Sequence, residues 1–276
     1  MLCKFKKMQG IGNDFVLIDS FSEPLVLTTE QIKHIANRNF GVGCDQVLLL
    51  EPPKDDESDV YYRIFNSDGS EVSQCGNGAR CSAIYLYDKG LVKKQKMIAE
   101  TKSGKLVLKI NKDNSVTVNM GIPKFEPKDI PINYEKKMKN YSLRLNSENI
   151  EFGAVSIGNP HAIIFVDDIE LTSIEKIAIK IQQDKIFPEG VNVSFVQILD
   201  RKKIKLRVFE RGVGETLSCG SGACASVVVA SQRGGLEENV EAELRGGVLK
   251  LSWAGEGKPI FMNGPVSTVY DGEIEL

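Results

Sequence analysis

The feature that most constrains this chain is an internal repeat. Arg63-Ile64-Phe65-Asn66 leads to Glu71 and then to Cys75-Gly76-Asn77-Gly78-Ala79, and Arg207-Val208-Phe209-Glu210 leads to Glu215 and then to Cys219-Gly220-Ser221-Gly222-Ala223. Cys75 and Cys219 stand 144 positions apart, as do the capping-box patterns that begin at Thr28 and Thr172. Ile11-Gly12-Asn13 corresponds to Ile157-Gly158-Asn159, and Gln46-Val47 to Asn192-Val193, at an offset of 146. A two-residue shift between Gln46 and Asn66 absorbs the difference. Landmarks in one order at nearly one spacing make the chain two similar halves. The break is expected near Gly121-Ile122-Pro123, ahead of the Lys- and Pro-containing stretch 124–139. Residues 1–120 then form one half, with the tail 265–276 packed against it, and residues 121–264 form the other.

Within each half the pattern is α+β. Short β-type runs such as Phe15–Ile18, Val47–Leu50 and Val155–Ile157 are interrupted by Gly, Asn and Asp. Thr28-Thr29-Glu30-Gln31 and Thr172-Ser173-Ile174-Glu175 each open a helix with a capping box. Two more helices are expected over 79–89 and 223–233, behind the Cys-Gly-x-Gly turns. The second is rich in Val, which weakens the helical reading there.

The remaining composition narrows the partner. With 276 residues, 26% charged and a net charge of −2, the chain has room for two cores and no broad cationic field. Nucleic acid and anionic membrane are disfavoured as partners, and a small molecule is expected. The N-terminus carries charge without an apolar stretch behind it, so a cytoplasmic protein is expected. Six cysteines in a chain of this length are read as reduced thiols.

Like halves facing one another place equivalent residues on opposite walls of a cleft, so Cys75 and Cys219 would flank one carbon. Inverting an α-carbon needs a proton removed from one face and delivered to the other, work that a thiolate and a thiol can share. A helix N-terminus is expected to lower each thiol's pKa, and its N–H groups to hold a carboxylate.

Several strings together resemble diaminopimelate epimerase: Ile11-Gly12-Asn13-Asp14-Phe15, Gly41-Val42-Gly43-Cys44-Asp45-Gln46, Phe65–Glu71 through Cys75–Cys81, Gly158-Asn159-Pro160-His161, and Glu210–Thr216 through Cys219–Cys224. The resemblance spans nearly the whole chain, down to Gly264-Pro265 and Val269-Tyr270-Asp271-Gly272. It implies two pseudo-two-fold-related domains, each a mostly antiparallel curved sheet or barrel around a central helix, with the active-site cleft between them. It further implies interconversion of LL- and meso-2,6-diaminopimelate, on the route to lysine and peptidoglycan, with no cofactor and no metal. The family's roles carry over to Cys75 and Cys219 as the acid/base pair, with Glu210 and His161 beside the reacting centre. Gly76, Asn77, Gly220 and Ser221 would bind the reacting carboxylate; Asn13, Gln46, Asn66, Asn159 and Asn192 the substrate's polar groups; Arg211 its distal carboxylate. Ser221 stands where many relatives have threonine. Tyr270 suggests a homodimer by the same resemblance.

The residues themselves support part of this. The halves differ at Asn66-Ser67 against Glu210-Arg211, where a substrate with two dissimilar ends must be told apart, and a bidentate arginine suits a carboxylate. Plainer readings stand beside it. Cys3, Cys44, Cys81 and Cys224 read as small buried hydrophobes. Any one of the five amides taken singly reads as a turn residue. His161 reads equally as a core histidine, and Arg63 and Arg207 as salt-bridge partners of Glu71 and Glu215. A thiol-metal site is disfavoured because Cys75/Cys81 and Cys219/Cys224 lack the two-residue zinc spacing. A pyridoxal enzyme stays open on composition, and a proline-racemase-like isomerase is the nearest alternative.

Overall fold

The computed structural model describes every residue except Ser22, Gln74, Asn146 and Ser147. In chain order its elements are β1 (Leu2–Gly10), β2 (Asn13–Asp19), α1 (Thr29–Ala36), β3 (Gln46–Glu51), β4 (Val60–Asn66), β5 (Glu71–Val72), α2 (Gly76–Asp88), β6 (Lys96–Thr101), β7 (Gly104–Ile110) and β8 (Val116–Asn119). There follow β9 (Tyr141–Leu145), β10 (Glu148–Ser156), β11 (Pro160–Phe165), α3 (Ile174–Gln182), β12 (Asn192–Asp200), β13 (Lys203–Glu210), β14 (Gly214–Thr216), α4 (Gly220–Gln232), β15 (Asn239–Leu244), β16 (Gly247–Trp253), β17 (Ile260–Gly264) and β18 (Ser267–Glu275). The chain divides into two compact units, Met1–Asn119 with Asn263–Leu276, and Met120–Met262. It is an α+β fold built mostly of strands.

In the first unit the strands run β18–β1–β2–β3–β4–β6–β7–β8 from neighbour to neighbour, antiparallel except for β2–β3 and β4–β6. The second unit repeats that scheme as β9–β10–β11–β12–β13–β15–β16, with β11–β12 and β13–β15 parallel. The registers match as well: Phe15 pairs with Gln46, and His161 with Asn192. The two-residue shift falls in one hairpin. Residues 52–60 separate the paired Glu51 and Tyr61, whereas residues 198–204, two fewer, separate Gln197 and Lys205.

Each unit is organised on one long helix. α2 packs on β1, β2, β3, β4, β7 and β8, and α4 on β10, β11, β12, β13, β15 and β16. These helices are buried over most of their surface, which is why the Val-rich α4 is helical: packing on all sides outweighs the modest propensity cost of Val227, Val228 and Val229. Both tolerate a buried serine one turn in, because the Ser82 hydroxyl donates to the Gly78 carbonyl at 3.0 Å and the Ser226 hydroxyl to the Gly222 carbonyl at 2.7 Å.

The capping boxes differ. Thr28 and Gln31 form the expected reciprocal box at the start of α1. At α3 the box is absent: Ser173 is the N-cap without a side-chain bond, and the Thr172 hydroxyl donates instead to the Asp168 carbonyl at 2.6 Å. Val155 and Ser156 belong to β10, while Ile157 lies beyond it in the turn.

Candidate active site

The functional side chains arise at strand ends beside a helix start, because the repeat ends its β-hairpins at the turn that launches the long helix. In the first unit these are Asn13 at the start of β2, Gln46 at the start of β3, Asn66 at the end of β4, and Cys75, Gly76 and Asn77 at the start of α2. Cys75 is the N-cap, extended at φ −145° and ψ 114°. Its Sγ lies 3.7 Å from Asn13 Oδ1, which also accepts from Asn77 Nδ2 at 3.3 Å. Gln46 Nε2 donates to Asn66 Oδ1 at 3.0 Å. The structure thus joins Asn13, Asn77 and Cys75 in one group and Gln46 with Asn66 in a second.

The second unit gathers Asn159, His161, Asn192, Glu210, Arg211, Cys219, Gly220 and Ser221. Cys219 is the N-cap of α4, at φ −127° and ψ 106°. Its Sγ is 3.6 Å from the Ser221 hydroxyl. Glu210 Oε1 accepts from the Thr216 hydroxyl at 2.6 Å. Asn192 Oδ1 accepts from the Arg211 backbone N–H at 2.9 Å, which fixes where the Arg211 side chain begins. Gly190 leaves room for that side chain, since a Cβ there would come within 2.8 Å of Arg211 Cδ. His161 Nε2 meets Asn159 Oδ1 at 2.9 Å.

Both helix starts leave the first backbone N–H groups without an intrahelical acceptor, so each can take an anionic oxygen. The expected depression of the thiol pKa is not met at Cys219. Burial pushes this thiol well above its ordinary range, and the Glu210 carboxylate adds to the effect against the opposing Ser221 hydroxyl. The helix start sits inside the core, where desolvation of a thiolate outweighs the helix end. His161 is fully buried, and its pKa is lowered to about 3 by burial first and then by the Arg211 charge. It is neutral near pH 7. With Nε2 donating to Asn159, Nδ1 is left as a buried acceptor with no protein partner among the described residues.

The plainer readings of the other four cysteines and of Arg63 and Arg207 hold. Cys3, Cys44, Cys81 and Cys224 are buried. Desolvation drives the Cys44 and Cys81 thiols up to about 12, outside useful acid/base range. Arg63 Nε donates to Glu71 Oε1 at 2.8 Å, and Arg207 Nε to Glu215 Oε1 at 2.7 Å. Among the described residues no cluster of three or more His, Cys, Asp or Glu suits a metal ion. No helix among them is long and apolar enough to cross a membrane.

Sequence reasoning passed over three residues. Tyr62 donates its hydroxyl to the Cys75 carbonyl at 3.1 Å. Asp45 accepts from Asn13 Nδ2 at 2.9 Å, and Arg80 donates to Asn77 Oδ1 at 2.9 Å. A signal was present in the repeat, because Asp45 and Arg80 correspond to Val191 and Cys224, the sort of asymmetry that had marked Arg211.

The family profile of diaminopimelate epimerase matches residues 5–126 and 153–269. The chain belongs to the diaminopimelate epimerase family. It is an isomerase of the epimerase/racemase type. The fold is shared more widely. A hydroxyproline epimerase from Agrobacterium vitis, solved with trans-4-hydroxy-L-proline bound, superposes with a TM-score of 0.73 at 17% identity, over 99% of this chain and 92% of that one. A probable proline racemase from Agrobacterium radiobacter K84 gives 0.72 at 16% identity, over 99% and 93%. A PhzF-family phenazine biosynthesis protein from Bacillus anthracis gives 0.69 at 17% identity, with both chains covered in full.

Proposed function

We propose that the protein interconverts LL- and meso-2,6-diaminopimelate, a step towards lysine and peptidoglycan precursors in the cytoplasm. The observation that carries the reading is the pair of repeat-equivalent cysteines, Cys75 and Cys219, each the N-cap of its unit's long helix. One thiolate takes the α-proton, and the other thiol returns a proton from the opposite face, so the carbon inverts and the enzyme is left with the two thiols' roles exchanged. The electron pair left on the α-carbon spreads into the substrate carboxylate. N–H groups of Gly76, Asn77, Gly220 and Ser221 hold that carboxylate and so stabilise the charge that develops.

Glu210 and His161 act on the Cys219 side. The Glu210 carboxylate beside Cys219 is the group through which that buried thiol can exchange its proton, and the neutral His161 offers Nδ1 as an acceptor in the same unit. Arg211 binds the distal carboxylate, with Asn13, Gln46, Asn66, Asn159 and Asn192 on the other polar groups. This asymmetry between the halves favours a long dicarboxylic substrate. A homodimer belongs to the same reading, with Val269 and Tyr270 exposed on β18 as its contact.

The deciding experiment offers LL-diaminopimelate and proline separately in deuterated water and follows the α-proton signal. Exchange into diaminopimelate with formation of the meso isomer is expected. Exchange into proline alone would overturn the substrate, and exchange into neither would overturn the reaction.

A further inference from the structure

Cys75 is faced by an unbroken chain of hydrogen bonds that runs from a guanidinium to a carboxylate. Arg80, fully buried in α2, donates from Nη1 to Asn77 Oδ1 at 2.9 Å. Asn77 Nδ2 donates to Asn13 Oδ1 at 3.3 Å, and Asn13 Nδ2 to Asp45 Oδ2 at 2.9 Å. Asp45 is anchored in turn, because Arg38 Nη2 donates to its Oδ1 at 2.8 Å. Arg38 also grips Asp14 at 2.8 and 3.1 Å, and Lys7 Nζ donates to Asp14 at 2.7 Å and to the Gly43 carbonyl. Burial alone would raise the Asp14 carboxyl; hydrogen bonds from Arg38 and Lys7 outweigh it and hold it at about 2.

A guanidinium only donates and a carboxylate only accepts. Between them the orientation of each amide is forced, whereas an asparagine is ordinarily free to turn either end to a neighbour. Reversing Asn13 would set its NH2 against Asn77 Nδ2 and its oxygen against the Asp45 carboxylate. We propose that Asp45 and Arg80 are positioning residues that lock Asn13 and Asn77, so that Asn13 presents only its carbonyl oxygen to Cys75 and favours the protonated thiol there. An S–H can donate to that oxygen; a thiolate would face its lone pairs. Cys81 of α2 and Tyr62 of β4 also lie near Cys75, both with strongly raised pKa values from burial. Neither is charged near neutral pH.

The same residues are not available in the second unit. Val191, Ser221 and Cys224 occupy the places of Asp45, Asn77 and Arg80. The inference rests on Cys75 carrying a proton in catalysis, yet its test reads the thiol of the free enzyme and needs no substrate. The full-length protein is alkylated with iodoacetamide across a range of pH, and the Cys75 peptide is quantified by mass spectrometry at 0.05 M and 1 M KCl. Asp45→Asn lets Asn13 turn its NH2 to Sγ. The alkylation midpoint should fall by about one pH unit, roughly tenfold faster labelling near neutrality, at both salt concentrations. Asp45→Ala, which leaves Asn13 unanchored, should shift it in the same direction by less, and serves if the first variant does not fold. An unchanged midpoint in a folded variant overturns the proposal. So does a shift that vanishes at 1 M KCl, which would reflect the lost surface charge alone.

Discussion

Two helix starts, built on one repeat, hold their cysteines in opposite ways. At α2 the neighbours of Cys75 are amides tied to charged groups: Arg80 at one end, Asp45 and Arg38 at the other. At α4 the neighbours of Cys219 are the Ser221 hydroxyl and the Glu210 carboxylate, a titratable group, and the same unit holds the titratable His161 on β11. Phe15 stands where the second half has His161, and Asn66 where it has Glu210. The repeat supplies two equivalent helix starts, one surrounded by amides held in fixed orientation and the other by titratable groups.

The sharpest way to break the comparison is to remove each thiol. Cys75→Ala and Cys219→Ala are each expected to lower epimerisation by about 1,000-fold or more while the far-ultraviolet circular dichroism stays that of the native protein. If both cysteines serve one proton path, the double variant should lose no more than either single one. Near-normal turnover in either single variant would end the two-thiol mechanism. A smaller effect is expected at the position that tells the substrate's ends apart. Arg211→Met should raise KM for diaminopimelate by about 10- to 100-fold, the scale of a lost charge-assisted pair, with kcat little changed. Ser67→Ala, at the equivalent place in the first half, should leave both constants within about twofold. Equal effects at the two positions would contradict the assignment of Arg211 to the distal carboxylate.

Much of this was legible because it is local. The repeat is read from spacing alone, and the Thr28 capping box and the Arg63–Glu71 and Arg207–Glu215 pairs join residues no more than eight positions apart. What escaped depends on contacts between distant parts of the chain. Lys7 reaches the Gly43 carbonyl across 36 residues, and Asn13 reaches Asp45 across 32. Neither bond can be read without the β2–β3 register. The raised thiol of Cys219 was missed for a related reason: a helix N-terminus argues for a low pKa, and only the packed structure shows that desolvation wins. α4 taught the same lesson in reverse, since burial on all faces made a helix of a Val-rich segment.

His161 makes the titratable wall measurable as stability. Its folded pKa, about 3, lies below the ordinary value of 6.5, so the unfolded chain binds the extra proton between those limits. Stability is therefore complete above about pH 6.5 and declines as pH falls, by at most about 1.4 kcal/mol per unit. His161→Phe, which installs the first half's residue, should flatten that decline. Denaturant melts at pH 6.5 and 4.5 should show wild type losing about 2 kcal/mol more than the variant. An identical pH slope in the two proteins would mean that His161 is not held neutral.

The smallest contrast lies in the glycines in the first turn of each helix, Gly78 and Gly222. A Cβ at Gly78 would stand 2.3 Å from the Tyr62 hydroxyl, the group that donates to the Cys75 carbonyl. At Gly222 the nearest atom would be Val208 Cγ2 at 3.1 Å, then Cys219 Sγ and Ser194 Oγ at 3.3 Å. Alanine in a helix gains roughly 0.5–1 kcal/mol over glycine, against an overpacking cost of about 1–3 kcal/mol. Gly78→Ala should thus destabilise by about 1–2 kcal/mol, and Gly222→Ala should fall within about 0.5 kcal/mol of wild type. Tyr62→Phe removes the obstructing oxygen. If the clash is the cause, Gly78→Ala should cost markedly less in that background, and a double-mutant cycle with no coupling would place the strain elsewhere.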